Sequence, residues 1–474
     1  MATHIMANFR VDRTKFDTTC VLCAMLLRGV DRNHTYGNTV PPVSIRTVDS
    51  RILVEQEGQL KQSLTIGRLP DEDISAAYKD VQISSPRLPG IESSAHGILL
   101  QQWLQDCDAN HPTCCREEDL RLPPRLPTRL LALHTAISGD IRLLDSADIP
   151  TGPSGLCKYA ALSYRWGNPG VHQYYQTTTA NLSLHKRRIN IEDLPLLVQD
   201  AVKVARDIKT PYLWIDSLCI VQDDNDDWDE EAARMLDVFS VAYCVIAASR
   251  STGVSDGFLG EPEPRKSIPL PNSSLFIAED IDDFQRDVIE GHLNKRAWVL
   301  QERALARRTI YFRERQMYWE CGEGIRCETM TKMRNKQAAF LGDPNFPRLA
   351  EMETKGGKIL LSQKLYEQYS RLAFTYEQDR PIAIAGIEER LCRAFDSRGG
   401  YGVFEKYLGR SILWQRADEE PTLGKIDFSK ERGQIPSWSW MAYMGAVNLL
   451  ELPFGKIEWT SDYQSPWSSF RRPP

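Results

Sequence analysis

The sequence predicts an α/β fold in which a parallel β-sheet carries helices on both faces. Three short apolar runs, over residues 159–164, 212–216 and 243–248, have the length and the residue types of buried strands. Segments with helical periodicity separate these runs along the chain. Strands that alternate with helices are typical of crossover units, in which neighbouring strands run parallel.

The helix after the first strand has the clearest pattern. Asp193 is predicted to be its N-cap, and Pro195 is predicted to lie in its first turn. A second helix is predicted over about 228–240, and a helix over 295–306 and a strand over 308–312 continue the alternation. The apolar face of the first helix is formed by Leu194, Leu197, Val198, Ala201, Val202, Ala205 and Ile208.

Three regions are expected along the chain. The α/β core is predicted to occupy residues 151–330, and it follows an N-terminal region, 1–150, whose first segment with helical spacing is 98–107. Residues 331–474 are expected to form a mixed α and β extension that packs on the core. Within this extension the sequence predicts helices over 360–374 and 381–391 and a β-rich aromatic patch at 436–440.

Composition and charge limit the class of protein. Of the 474 residues, 42% are hydrophobic and 26% are charged, as in soluble globular domains, and the formal net charge is −6. So small a charge gives no electrostatic support for general binding to nucleic acid. No apolar stretch approaches the ~20 residues of a bilayer span, so we expect no membrane span and a cytoplasmic location. Cys219 and Cys244 lie in apolar runs, which favours reduced thiols over a disulfide framework.

Polar side chains follow each of the three predicted strands. In an open parallel sheet, ligands bind at the carboxyl ends of the strands, so these side chains are candidates for one site. Ser163 and Asp216 are the candidate catalytic residues at this edge, because an acid that ends so apolar a strand needs partners. The alternative is that each polar group caps a helix or bonds to turn backbone. The candidate ligand-binding residues are Arg165, Trp166, Ser217 and Ser249, the last followed by Arg250 and Ser251.

A second concentration of candidate residues spans 296–303. If this segment is helical, Trp298 and Glu302 lie one turn apart on the same face. An indole beside a carboxylate excludes water from it and tends to raise its pKa. Such an acid can hydrogen-bond a substrate or stabilise a developing cation, which makes Glu302 a candidate catalytic residue. The alternative is a helix with a buried tryptophan and a Glu–Arg pair on its surface.

Cysteine and histidine spacing indicates a candidate metal site in the N-terminal region. Cys20 and Cys23 are separated by two residues, and Cys107, His111 and Cys114 form a second set. Four of these five residues could form a tetrahedral structural zinc site. The alternative is that Cys107 and His111 are ordinary interior residues of a helix and that Cys20 and Cys23 lie in an apolar helix.

Three sequence motifs in the middle of the chain are informative when they are considered together. They are YAALSYRWG at 159–167, YLWIDSLCIVQDD at 212–224 and RAWVLQER at 296–303. Together they resemble the motifs of the fungal heterokaryon incompatibility (HET) domain. Weaker similarity at 103–114 and 126–130, and at 436–440, extends the resemblance over most of the chain.

The resemblance implies a protein of self/non-self recognition and programmed cell death. It also implies a core distantly similar to Toll/interleukin-receptor (TIR) domains of innate immunity, which have a flavodoxin-like parallel sheet. Leu162, Ser163 and Tyr164 are similar to the residues that end the first strand of TIR domains. Trp298 and Glu302 resemble the TIR pattern of a tryptophan and an acid one helical turn later, where the glutamate cleaves NAD⁺ in TIR enzymes.

For the chemistry, the resemblance implies NAD⁺ as a substrate and no required cofactor. A carboxylate at Glu302 would stabilise the positive charge that nicotinamide leaves on the ribose. Trp166 or Trp298 would stack on a ring, and Arg165 would meet the pyrophosphate. The sequence lacks the glycine-rich loop of dinucleotide-binding folds, so hydride-transfer chemistry is not expected.

Whether the chain is an enzyme stays open at this point. One alternative is a non-enzymatic module that signals by self-association as a homo-oligomer. Another is a biosynthetic enzyme that binds a hydrophobic metabolite between the core and the aromatic C-terminal extension, where Trp414, Trp438 and Trp440 lie. The sequence contains no separate sensor or nucleotide switch, so any regulator is expected on a separate protein.

Overall fold

The elements below come from a computed structural model of the chain. Its described residues are 8–11, 19–28, 30, 43–48, 50–70, 81–86, 88, 94–111, 114, 125–134, 140–151, 157–333, 354–428 and 435–454.

The part of the chain before residue 111 has four described strands and two described helices. They are β1 (Asn8–Val11), α1 (Val21–Leu26), β2 (Val43–Val48), β3 (Arg51–Gln56), β4 (Gln59–Arg68) and α2 (Ser94–Asn110).

The middle of the chain alternates strands and helices. Its elements are β5 (Arg129–Ala132), β6 (Asp140–Asp145), β7 (Tyr159–Ser163), α3 (Leu182–Arg187), β8 (Ile189–Asn190), α4 (Leu196–Asp207), β9 (Tyr212–Trp214), α5 (Asp216–Cys219), α6 (Asn225–Ala233), α7 (Met235–Val241), β10 (Cys244–Ala247), β11 (Ser267–Pro269), β12 (Leu275–Glu279), α8 (Ala297–Leu305), β13 (Arg308–Phe312), β14 (Met317–Cys321), β15 (Gly324–Cys327) and β16 (Lys332–Met333).

The C-terminal extension combines helices with short two-stranded ladders. Its elements are α9 (Lys355–Ser370), α10 (Ala385–Phe395), β17 (Gly399–Gly400), β18 (Val403–Phe404), α11 (Leu408–Ser411), β19 (Trp414–Arg416), β20 (Gly424–Lys425), β21 (Tyr443–Met444) and β22 (Val447–Leu449).

The central sheet has ten strands in the order β16-β15-β14-β13-β10-β7-β9-β5-β6-β8. The four middle strands, β13, β10, β7 and β9, are parallel. Strands on both flanks are antiparallel. On one flank, tight turns join β13 to β14 and β14 to β15, and a tight turn can only reverse the chain. The predicted parallel sheet is therefore confirmed for its middle, and the sheet as a whole is mixed.

Helices pack on both faces of this sheet. Tyr318 and Trp319 are neighbours in β14 and therefore point to opposite faces. The Trp319 ring lies 6.3 Å from the ring of Trp103 in α2. Tyr318 instead clusters with Val299 of α8. Helices α2 and α8 thus cover the two faces.

The sequence has no long periodic segment before residue 98, and the structure has strands there that the sequence did not predict. Strands β1 to β4 form an antiparallel sheet that β12 and β11 complete, in the order β1-β2-β3-β4-β12-β11. Strand β4 has ten residues, of which only Leu64, Thr65, Gly67 and Arg68 are buried, so its sequence lacks the strict apolar alternation of a half-buried strand.

Several local predictions need correction. Asp193 does not cap the helix, because it lies in a 3₁₀ turn, Ile191–Asp193, and Pro195 occupies the N-cap position. The helix predicted over 228–240 is two helices, α6 and α7, which meet at Arg234. The aromatic patch at 436–440 consists of turns that lead into the 3₁₀ helix Trp440–Ala442, not of strands.

Helix α8 lies between the sheet and the C-terminal extension. Ala297 and Leu300 of this helix belong to the apolar core of the extension, which contains the fully buried Trp440. Gln301 accepts a hydrogen bond of 2.8 Å from the backbone N–H of Gly386 in α10. Both neighbours of α8 therefore fix its position. Among the described residues, no helix has both the length and the apolar content needed to cross a bilayer.

Candidate functional site

Three candidate residues meet at the carboxyl ends of the parallel strands. Ser163 is the last residue of β7, and Asp216 opens α5 directly after β9. The Ser163 hydroxyl donates a hydrogen bond to the Glu302 carboxylate, which α8 brings to this edge. Asp216 is close enough for its charge to act on Glu302. The sequence placed these residues at one edge, and the fold brings them together there.

Glu302 is buried in an environment that disfavours its charge. The residue is 9% exposed. Burial raises the pKa of its carboxyl to about 7, the negative charge of Asp216 acts in the same direction, and Ser163 and Arg296 oppose the shift. An acid with a pKa near neutrality is suited to exchange a proton at cellular pH.

The indole of Trp298 forms a contact that the sequence did not predict. Its Nε1–H donates a hydrogen bond of 3.0 Å to Asp379 of the C-terminal extension. The pKa of Glu302 is raised in the expected direction, and the leading cause is burial of its carboxyl between the sheet and the extension. Trp298 thus links the site helix to the extension.

Asp216 is the second buried acid of the site. Burial raises the pKa of its carboxyl. Its Oδ2 accepts a hydrogen bond of 2.8 Å from the indole of Trp166, and its Oδ1 accepts one of 2.7 Å from the backbone N–H of Ser217. These bonds place Asp216 firmly beside the end of β7.

Arg296 is a site residue that the sequence analysis did not single out. It precedes α8, and its guanidinium donates a 2.6 Å hydrogen bond to the carbonyl oxygen of Tyr164. Its positive charge lowers the pKa values of both Glu302 and Asp216. The signal was present, because Arg296 opens the third sequence motif, but an arginine before a helix is ordinarily a surface residue.

The remaining predicted ligand-binding residues lie along the same edge. Ser249 and Ser251 follow β10, and both hydroxyls are buried without a hydrogen-bond partner among the described residues. Ser217 is also buried. Arg165 is partly exposed and forms no hydrogen bond or ion pair with a described residue. The hydroxyls of Ser249 and Ser251 are available to a ligand, because a buried polar group without a hydrogen-bond partner is energetically unfavourable.

Two loops at this edge are locked together by a histidine. Gly167 has φ +87°, a left-handed conformation that favours glycine. A Cβ at Gly167 would lie 2.3 Å from the His172 ring, and one at Gly253 would lie 2.4 Å from the same ring. The ring of Trp166 packs edge-on against Tyr174, with centroids 5.2 Å apart. The loops after β7 and β10 therefore form one packed unit.

The C-terminal extension covers the site. Backbone hydrogen bonds join Ala373 to Lys295 and Ala297, at 2.8 and 3.0 Å. Two surface cavities lie elsewhere: one of about 600 Å³ beside the N-terminal sheet, and one beside α10. Neither is lined by Glu302. The buried Glu302 carboxyl thus lies outside both of these cavities.

The structure gathers a different set of metal-binding side chains from the predicted one. Cys107, His111 and Cys114 lie together with Cys321, and their ligand atoms are all within 4.8 Å of one another. Cys20 and Cys23, at the start of α1, are not part of this cluster. Cys321 was missed because it is more than 200 residues away in sequence.

Comparisons with known proteins give one match. No curated protein and no solved structure matches the chain. Residues 159–302 match the family model described as "Heterokaryon incompatibility protein (HET)". The match begins at the first residue of β7 and ends at Glu302, so it contains the first two sequence motifs, the third motif except Arg303, and the acidic residues of the site. Residues 159–302 are therefore similar to the HET domain, and we call them the HET region.

Proposed function

We propose that this protein acts in fungal self/non-self recognition leading to cell death, and that its site cleaves NAD⁺ between ribose and nicotinamide through Glu302. The similarity of the HET region to the HET domain supports the first part of the proposal. One observation carries the second part. The Glu302 carboxyl is buried at the carboxyl ends of parallel strands, bonded to Ser163 and beside Asp216.

Resemblance to TIR domains adds support. Leu162, Ser163 and Tyr164 resemble the residues that end the first strand in TIR domains, and Glu302 follows Trp298 as the catalytic glutamate follows a tryptophan there. The hydrogen bond between Ser163 and Glu302 connects the two parts of this pattern.

The chemistry would begin with departure of nicotinamide. The bond between ribose C1 and the nicotinamide nitrogen breaks, and the electron pair leaves with the neutral nicotinamide. The ribose then carries positive charge, as in an oxocarbenium-like transition state. The ionised Glu302 would stabilise this charge at close range in a site with little water. Water adds to ribose C1, and its proton passes to the Glu302 carboxylate and then to solvent.

Other residues of the edge would position the substrate. The partly exposed guanidinium of Arg165 would bind the pyrophosphate, because arginine forms strong charge-assisted hydrogen bonds to phosphate oxygens. The unpartnered hydroxyls of Ser249 and Ser251 would bind polar groups of the ribose or the phosphate. Trp166 would stack on a ring of the substrate.

Activation would require the covering groups to move. The hydrogen bond from Trp298 to Asp379 and the backbone bonds of Ala373 hold the extension over the site. Assembly into a homo-oligomer, or binding of a separate regulatory protein, would open this cover. The protein is therefore proposed to have low activity as a monomer.

The test is an assay for nicotinamide release by the purified protein, with Glu302→Gln as the variant. Glu388→Gln is the matched control, since Glu388 is also a buried glutamate whose pKa is raised to about 7. We expect Glu302→Gln to lower turnover roughly 100-fold or more. Glu388→Gln should keep the wild-type rate within about threefold.

Two results would contradict the proposal. Equal turnover by the wild type and Glu302→Gln would end the proposed role of Glu302. A wild-type protein without turnover over a wide concentration range, which nevertheless forms oligomers, would favour the non-enzymatic self-association module.

A further inference from the structure

We infer that Cys107, His111, Cys114 and Cys321 bind one zinc ion, which ties helix α2 to the hairpin of β14 and β15. This inference is independent of NAD⁺ cleavage. It revises the ligand set expected from sequence, since Cys321 takes the place of Cys20 and Cys23.

The geometry of the four ligand atoms fits a tetrahedral ion. All four atoms lie within 4.8 Å of one another. The Cys321 sulfur and the Nδ1 of His111 are 3.5 Å apart. Ligands at Zn–S and Zn–N distances of about 2.3 and 2.1 Å are separated by roughly 3.5 to 3.8 Å along a tetrahedron edge. The cluster therefore needs only small side-chain adjustments to enclose an ion.

Local structure explains how three ligands come from one short segment. Cys107 and His111 are four residues apart at the end of α2, so they lie on one helical face. The backbone N–H of His111 donates to the carbonyl oxygen of Cys107, and that of Cys114 donates to the carbonyl oxygen of His111, at 3.0 and 2.9 Å. This turn brings the third ligand back to the same face.

The fourth ligand comes from the central sheet. Cys321 is the last residue of β14, and the two-residue turn of Gly322 and Glu323 follows it. The backbone N–H groups of these two turn residues lie next to the sulfur atoms of Cys114 and Cys321. Such N–H groups stabilise metal-bound thiolates and fix their orientation.

Burial and ligand chemistry select zinc. Cys107, Cys114 and Cys321 are each at most 3% exposed. A disulfide would use two of the three sulfurs, and none is formed among the described cysteines. Three thiolates and one imidazole form a soft donor set that suits tetrahedral zinc and does not suit magnesium or calcium.

Two ion pairs join α2 to the central sheet next to the four ligand residues. Asp106 and Asp108 flank the first ligand, and they form ion pairs with Arg326 of β15 and Arg308 of β13. The helix and the sheet are thus held together on both sides of the cluster. An ion that joins residue 107 to residue 321 would stabilise the folded state, because the unfolded chain has no preformed site.

The experiment measures zinc content in full-length protein purified without chelator. We expect about one zinc per chain in the wild type, and less than about 0.2 in Cys321→Ser. The matched control is the double variant Cys20→Ser/Cys23→Ser, which should keep about one zinc per chain. Removal of the metal by a chelator should lower Tm in the wild type and the control.

Cobalt substitution in the wild type decides the question if Cys321→Ser fails to fold. Tetrahedral cobalt with three thiolates should give an intense thiolate-to-metal absorption band and strong visible bands, with or without any enzymatic activity. Wild-type protein without zinc and without this cobalt spectrum would overturn the inference. Loss of zinc in Cys20→Ser/Cys23→Ser with retention in Cys321→Ser would overturn it too.

Discussion

Two buried glutamates, Glu302 of the region that matches the HET family model and Glu388 of the C-terminal extension, have similar acidity in different surroundings. Burial raises the pKa of each carboxyl to about 7. Glu302 accepts from the Ser163 hydroxyl, and charged Asp216 and Arg296 lie close to it.

The carboxylate of Glu388 is surrounded by groups of the hydrophobic core. Its Oε1 accepts hydrogen bonds of 2.8 Å from the Tyr366 hydroxyl and 2.7 Å from the backbone N–H of Gly402. These two donors occupy the oxygen, and no ionised group is among the causes of its pKa shift. The comparison shows that a raised pKa reports burial. A second acid, a guanidinium and a place at the sheet edge are what distinguish Glu302 as a functional candidate.

The largest expected effect concerns the dependence of stability on pH. The folded pKa of each acid, about 7, lies above the ordinary value of 4.5. The stabilising contribution of each group is therefore complete below pH 4.5 and is lost as pH rises through about 7. Each acid thus accounts for a loss on the order of 3 kcal/mol in the free energy of unfolding, since one pKa unit corresponds to about 1.4 kcal/mol.

Glu302→Gln and Glu388→Gln should each weaken this pH dependence, and urea unfolding at pH 5 and pH 8 measures it. Relative to the wild type, both variants should gain stability at pH 8. If only Glu302→Gln gains stability at pH 8, the hydrogen bonds from Tyr366 and Gly402 offset the cost of burying the Glu388 charge. The two acids would then not be equivalent. If the free energy of unfolding of both variants changes with pH as it does in the wild type, neither pKa is raised.

The next effect concerns two glycines with positive φ, Gly402 next to Glu388 and Gly167 in the loop after β7. Gly402 has φ +79°, and a Cβ there would lie 2.1 Å from the Trp440 indole nitrogen. Because Trp440 is fully buried and cannot move aside, Gly402→Ala should lower the free energy of unfolding by about 2 kcal/mol.

Gly167→Ala is the counterpart in the loop after β7, where the added Cβ meets the buried His172 ring and the Gly253 backbone. It should reduce both NAD⁺ cleavage and stability, whereas Gly402→Ala should reduce stability and leave NAD⁺ cleavage within about threefold of the wild-type rate. Thermal unfolding and nicotinamide release on the same samples separate the two effects. A loss of stability without a loss of turnover in Gly167→Ala would remove the β7 loop from the site.

The smallest effect concerns the hydroxyl donors. Tyr366→Phe and Ser163→Ala each remove a hydrogen bond to a buried carboxylate, which should cost about 1 kcal/mol at pH 8 in urea unfolding. Both bonds lower the pKa of their acid, so both pKa values should rise further. Only Ser163→Ala should move the pH midpoint of NAD⁺ cleavage upward. An equal shift with Tyr366→Phe would contradict the assignment of Glu302.

Much of the α/β core could be predicted, because its signals are local. The apolar runs that became β7, β9 and β10 are short and fully or largely buried, and α4 has a regular apolar face. The N-terminal sheet could not be predicted, since its strands are mostly half-buried and two of them, β11 and β12, come from the middle of the chain. Long-range pairing leaves no periodic pattern in either segment.

For the candidate site, the sequence by itself determined which residues are candidates and on which element ends they lie. Ser163, Asp216 and Glu302 follow from the ends of apolar strands and from helical spacing, which are properties of neighbouring residues. Only the tertiary structure decided what each group meets: Arg296 beside both acids, Asp379 at the Trp298 indole, and Cys321 beside Cys107. The physical reason is that hydrogen bonds, ion pairs and metal coordination act over a few ångströms in space, between residues that can be hundreds of positions apart in the chain.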